Sequence, residues 1–130
     1  MLSQATSTKR PKIVAASSYF NGQITHSFTT GSQQYVQSAT GATLVSQRNT
    51  IYAVCRAANV ASTRVVCASN NASAAQQLYY STTPDWKLSA RRHFDGEIAE
   101  ILVYEGAHSA ATRALLASYY NRRYGLSITT

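Results

Sequence analysis

Hydrophobic and polar positions in this chain change period in plain view between Phe94 and Leu126. From Glu97 to Tyr104 one parity carries Ala99, Ile101 and Val103, and the other carries Ile98, Leu102 and Tyr104 with Glu100 among them. A run apolar on both parities predicts a strand covered on both faces, and therefore an internal one. Phe94-Asp95-Gly96 before it predicts a tight turn, because Gly tolerates positive φ and Asp hydrogen-bonds its own backbone. Glu105-Gly106 ends the strand, and Ser109 is placed to cap a helix over about 109–124. At helical spacing Leu115, Leu116, Tyr119 and Tyr120 predict the apolar stripe, with Ala110, Ala114 and Ala117 at its back. Gly125 sits where a left-handed C-cap is wanted, and Arg122 and Arg123 occupy the last turn, where cations favour the helix dipole.

The earlier chain alternates with the shorter period of strands. Residues 1–12 are polar and basic and predict a flexible arm, followed by an edge strand over Ile13–Ala16. Asn21-Gly22 is the strongest hairpin dipeptide, with Ile24, His26 and Phe28 on one parity beyond it, so that His26 is expected to point inward as a core histidine. A short strand over Gln34–Gln37 and a longer one over Thr50–Ala57 follow, and Arg64–Ser69 is expected to pair with the latter. In that hairpin Cys55 and Cys67 fall opposite each other, with Cα atoms ~4.5–5.5 Å apart, which permits a disulfide. Cytosolic synthesis disfavours disulfides, so two buried thiols are the expectation.

The string from Phe94 through Tyr104, a short turn, Ser109, and a helix ending Tyr119-Tyr120-Asn121-Arg122-Arg123-Tyr124-Gly125-Leu126 resembles the closing segment of bacterial and phage concanavalin A-like domains of the laminin-G type. Phe20-Asn21-Gly22-Gln23, then His26-Ser27-Phe28 and Gln34-Tyr35-Val36, is similar to that family's opening hairpin, and Thr50–Val54 to its next core strand. The matched pieces cover about half the chain. The resemblance implies a mainly β fold: a shortened concanavalin A-like antiparallel β-sandwich (jelly roll) over residues 13–130, with one C-terminal α-helix. The shortening lies between Ser69 and Phe94, where such domains place several more strands. Only Leu78-Tyr79-Tyr80 and Trp86-Lys87-Leu88 read as strands there. A clipped sheet leaves edges that invite another chain, so a partner subunit and an oligomer are expected.

Composition narrows the function classes. The 130 residues are 45% hydrophobic and 13% charged, a globular composition suited to a single domain. No apolar run approaches the ~20 residues of a membrane span, and the N-terminal stretch lacks an apolar signal core, so a chain made without a signal peptide is expected. Its setting would then be a virion, or an exported assembly of which it is part. The net charge of +7 raises a polyanion site at Arg91, Arg92, Arg122 and Arg123, although no nucleic-acid motif accompanies these residues and solvated charge is the expectation.

Glycosidic hydrolysis needs two carboxylates ~5–10 Å apart across one bond. Glu97 and Glu100 differ by three and are expected on opposite faces of a strand; no nucleophile has a paired histidine, so no enzyme is expected. Calcium is common in laminin-G-like domains, yet carboxylates are few and no D-x-D occurs. No cofactor or metal is expected, Asp95 with backbone oxygens being the one place for calcium. For a sugar, Tyr79, Tyr80 and Trp86 offer stacking faces, with Asn71 and Asp85 as hydrogen-bonding groups. The leading expectation is a non-catalytic interaction module serving as a structural component of a larger assembly, a phage virion or a tail or capsid appendage. A lectin-like module recognising cell-surface glycan and a basic polyanion binder stand as alternatives.

Overall fold

The structure, a computed structural model, describes residues 2–3, 5–29, 32, 34, 37–38, 49–58, 64–71, 74–80 and 94–130. In chain order the strands are β1 (Leu2–Ser3), β2 (Lys12–Val14), β3 (Thr25–Phe28), β4 (Gln37–Ser38), β5 (Asn49–Ala57), β6 (Arg64–Asn71), β7 (Ala74–Tyr80) and β8 (Gly96–Glu105), followed by helix α1 (Ala110–Tyr124). The molecule is mainly β. Its organising layer is a four-stranded antiparallel sheet of order β2-β3-β8-β5, with α1 packed on one face. The strand that is apolar on both parities, β8, lies between β3 and β5 as its pattern predicts. Within the N-terminal arm, Ser7–Lys9 makes one 3-10 turn, and Leu2 and Ser3 pair with Ser38 and Gln37.

A β-bulge interrupts β8. Val54 is opposite Glu100 but Cys55 is opposite Ile98, so β8 advances two residues where β5 advances one, and Ala99 is the extra residue. A bulge reverses the facing of everything beyond it. Tyr52, Val54, Ala99 and Leu102 therefore face α1 and pack with Phe20, Leu116, Tyr120, Tyr124 and Leu126. Burying each large side chain of that group contributes roughly 1.5–3 kcal/mol. On the opposite face Phe28, Phe94 and Ile98 form a second core with Cys55 and Ile101, the two phenylalanine rings meeting edge-to-face at 6.1 Å.

The helix is cut where the sequence places it. Ser109 Oγ accepts from the Thr112 N–H at 3.2 Å, and Gly125 closes the helix at φ 67° and ψ 30°. Asn21 and Gly22 take positive φ at the tip of the β2–β3 connection, where the amides of Phe20 and Gly22 both donate to the Ser17 carbonyl.

Several expectations are corrected. β6 pairs with β7 and not with β5, so Cys67 lies opposite Leu78 while Cys55 lies opposite Ile98, and the sulfur-facing register is not formed. The described partner of β5 is the long-range strand β8, nine residues of β5 pairing with it across the bulge. The helix stripe is rotated: Ala117, Tyr120 and Tyr124 are buried, whereas Leu115 is 73% exposed. At 100° per residue Leu115 lies about 200° round the helix from the buried Ala117, and so faces outward. His26 is exposed although it shares the parity of the buried Phe28, since it sits in a row with Ile13, itself 64% exposed, near the β2 side of the sheet. Gly96 opens β8 and is not the tip of a tight turn. At φ 144° it lies between Phe28 and Ala57, and a Cβ there would run into the Arg56 carbonyl oxygen.

Candidate functional site

The bulge has a chemical consequence. Glu97 and Glu100 lie on the same face of β8 and not on opposite ones. Glu97 Oε2 accepts from Ser17 Oγ at 2.6 Å and from the fully buried Thr25 Oγ1 at 2.8 Å. Glu100 accepts from Tyr124 at 3.1 Å and Tyr119 at 3.3 Å, both on α1. Each carboxylate thus has two hydroxyl donors and anchors a neighbouring element to the sheet, the Ser17 turn in one case and the helix in the other. Burial, then the Glu100 hydrogen bond, pushes the Tyr124 hydroxyl up to about 12. Burial also raises Tyr120, helped by the Glu100 charge.

At the start of α1, Tyr52 Oη and His108 Nδ1 stand 3.0 Å apart, and the Tyr104 ring lies 4.6 Å from the imidazole. Thr50 Oγ1 donates to the Gly106 carbonyl and Arg113 to that of His108, which fixes the β8–α1 connection. Tyr52, Tyr104 and His108 thus form one cluster of ring contacts.

Space opens beside β5. A cleft of about 340 Å³ runs between that strand and α1, lined by Phe20, Val54, Leu116, Tyr120 and Leu126, with Arg113 contributing charge. The chain after the helix forms part of its wall, because Asn121 and Ile128 exchange hydrogen bonds of 2.8 and 3.0 Å and fold the terminus back. Tyr120 is only 4% exposed, and its hydroxyl has no hydrogen-bond partner among the described residues. No described strand pairs with the edge of β5 that faces away from β8.

The candidate residues read from sequence fall in three places. Arg122 and Arg123 are exposed in the last turn of α1, with the Arg123 guanidinium 5.5 Å from the Tyr124 ring centre and 5.8 Å from that of Tyr119; Tyr124 raises its pKa. Asn71 ends β6 opposite Ala74, and Tyr79 and Tyr80 lie on β7 opposite Val65 and Arg64. Asp85, Trp86, Arg91 and Arg92 lie outside the described residues. Sequence reasoning missed Tyr19 and Arg56, which are 37 positions apart yet stacked, the guanidinium 3.7 Å from the ring centre. No local signal joins two such distant residues. Asp95, the candidate calcium ligand, is half-buried and uses its carbonyl to accept from the Ala58 amide. Among the described residues no three His, Cys, Asp or Glu side chains group to hold a metal, and no helix is long and apolar enough to cross a membrane.

No protein-family model matches this chain, no curated protein matches it, and no solved structure matches it. The functional reading therefore rests on the chain's own geometry.

Proposed function

We propose that this chain is a non-catalytic interaction module of the laminin-G-like kind, a shortened antiparallel β-sandwich serving as a structural subunit of a larger assembly. A phage particle is the setting to which the closing-segment resemblance points. The observation that carries the reading is the outer edge of β5. Nine residues long, it carries no described partner on that side and runs beside an apolar cleft. A strand from a neighbouring copy would complete its backbone hydrogen bonds and cover the cleft lining in one step. The engaged state of Glu97 and Glu100, each holding two hydroxyls, supports the non-catalytic part.

The test is light scattering across a concentration series, with hydrogen exchange on the same samples. Association should slow exchange at alternate β5 amides, those pointing away from β8. A chain that stays monomeric at every concentration, or that associates while these amides keep exchanging freely, refutes the proposal.

A further inference from the structure

One end of the sheet face that carries α1 gathers cations around an exposed aromatic ring. Across the strands Lys12 is opposite Ser27, Ser27 opposite Glu97 and Glu97 opposite Arg56, so this row places Lys12 and Arg56 on one face. Both are exposed. The carboxylate in the row, Glu97, is already held by Ser17 and Thr25. The Arg56 guanidinium covers one face of the Tyr19 ring, and Tyr19 as a residue remains 52% exposed.

The turn that presents Tyr19 also docks on the helix end. Asn21 Nδ2 donates to the Arg123 carbonyl at 3.4 Å, and a Cβ on Gly125 would lie 3.6 Å from that of Asn21. Tyr19 and Asn21 are two residues apart, so their Cα atoms are separated by no more than ~7 Å. The turn that bears Tyr19 therefore packs against the helix end that carries the exposed Arg122 and Arg123.

From this arrangement we infer that the face formed by Lys12, Tyr19, Arg56, Arg122 and Arg123 binds single-stranded nucleic acid. Tyr19 stacks against a base, with Arg56 bracing the ring from behind, and the four cations follow the phosphates. Charge alone would suit any polyanion. The exposed, braced ring favours one that carries flat bases, since base–aromatic stacking adds affinity that a purely electrostatic groove lacks. Arg56 is on β5, but none of the five residues lines the cleft, and the Tyr19 variants leave the β5 backbone edge intact, so the binding test reads separately from self-association.

Fluorescence anisotropy with a labelled oligothymidylate of about 20 nucleotides reads the binding, with heparin and phosphatidylserine vesicles as base-free competitors. Neutralising three to four phosphates predicts a log–log salt slope of about −2 to −3, and Arg56→Gln and Arg123→Gln should each reduce it by about 0.7. Tyr19→Ala should weaken oligonucleotide binding about 10-fold or more with the slope unchanged, while Tyr19→Trp, which keeps a stacking ring, should retain it. Circular dichroism of each variant checks the fold. Absence of binding at low salt overturns the inference. So does an oligonucleotide affinity indifferent to Tyr19→Ala, or heparin or vesicles binding as tightly as the oligonucleotide, because each of these results assigns the surface to charge alone.

Discussion

The carboxylate beneath the helix gives the most discriminating test of this architecture. Tyr124 is 2% exposed and donates to Glu100 at 3.1 Å, so Tyr124→Phe removes a hydrogen bond to a charged acceptor and changes no other atom. Hydrogen bonds to charged groups contribute about 1.5–3 kcal/mol, and a loss of about 2 kcal/mol is expected. Tyr119→Phe should cost less, about 0.5–1 kcal/mol, because its bond is longer at 3.3 Å and its side chain is partly exposed. Glu100→Gln keeps the shape and removes the charge. In a double-mutant cycle by urea unfolding, Tyr124→Phe and Glu100→Gln should couple by about 1 kcal/mol. A cycle of Glu97→Gln with Tyr124→Phe should be additive within about 0.5 kcal/mol, since Glu97 bonds only Ser17 and Thr25 among the described residues. Additivity in the first cycle would mean that Glu100 does not face α1. The bulge at Ala99, and with it the facing of the whole sheet, would then be wrong.

Three further perturbations follow from the same geometry. Gly96→Ala combines a positive φ of 144° with a Cβ driven into the Arg56 carbonyl, and thermal unfolding should register a loss of at least about 3 kcal/mol or no folded protein. Leu115→Lys should leave stability within about 0.5 kcal/mol by chemical denaturation, because the side chain is 73% exposed; a large loss would restore the stripe that the sequence predicts. In alkali, Tyr124 is held near 12 in the fold against ~10 for a free phenol, a raised pKa. The stability it contributes is fully present below about pH 10 and is lost as pH rises toward about 12, roughly 2–3 kcal/mol in all. Tyrosinate absorbance followed with circular dichroism should show late-ionising tyrosines that titrate as the fold is lost; early titration of all nine with the fold intact would refute this.

Much of this was legible before any coordinates. Ser109, Gly125 and the paired arginines delimit α1 because caps and dipoles act within one turn of chain, and β8 declares itself internal because both of its parities are apolar. Asn21-Gly22 marks its turn through the φ values that Asn and Gly tolerate. Beyond local signals the reading failed in identifiable ways. Nearness in sequence suggested that β6 would pair with β5, whereas β6 pairs with β7 and β5 pairs with β8, some forty residues further on.

What the sequence determined by itself was β3, β5, β8 and α1, since capping, turn conformation and hydrophobic period are properties of neighbouring residues. Which strands meet, which side of α1 faces inward, and that Glu97 and Glu100 share a face were decided only in three dimensions. One extra residue at Ala99 reverses the facing of β8, and no pattern along the strand announces it, because a bulge exists only relative to the strand alongside. Arg56 and Tyr19 likewise become neighbours only when β5 and the Ser17 turn are brought together, and that juxtaposition creates the surface to which a ligand is assigned.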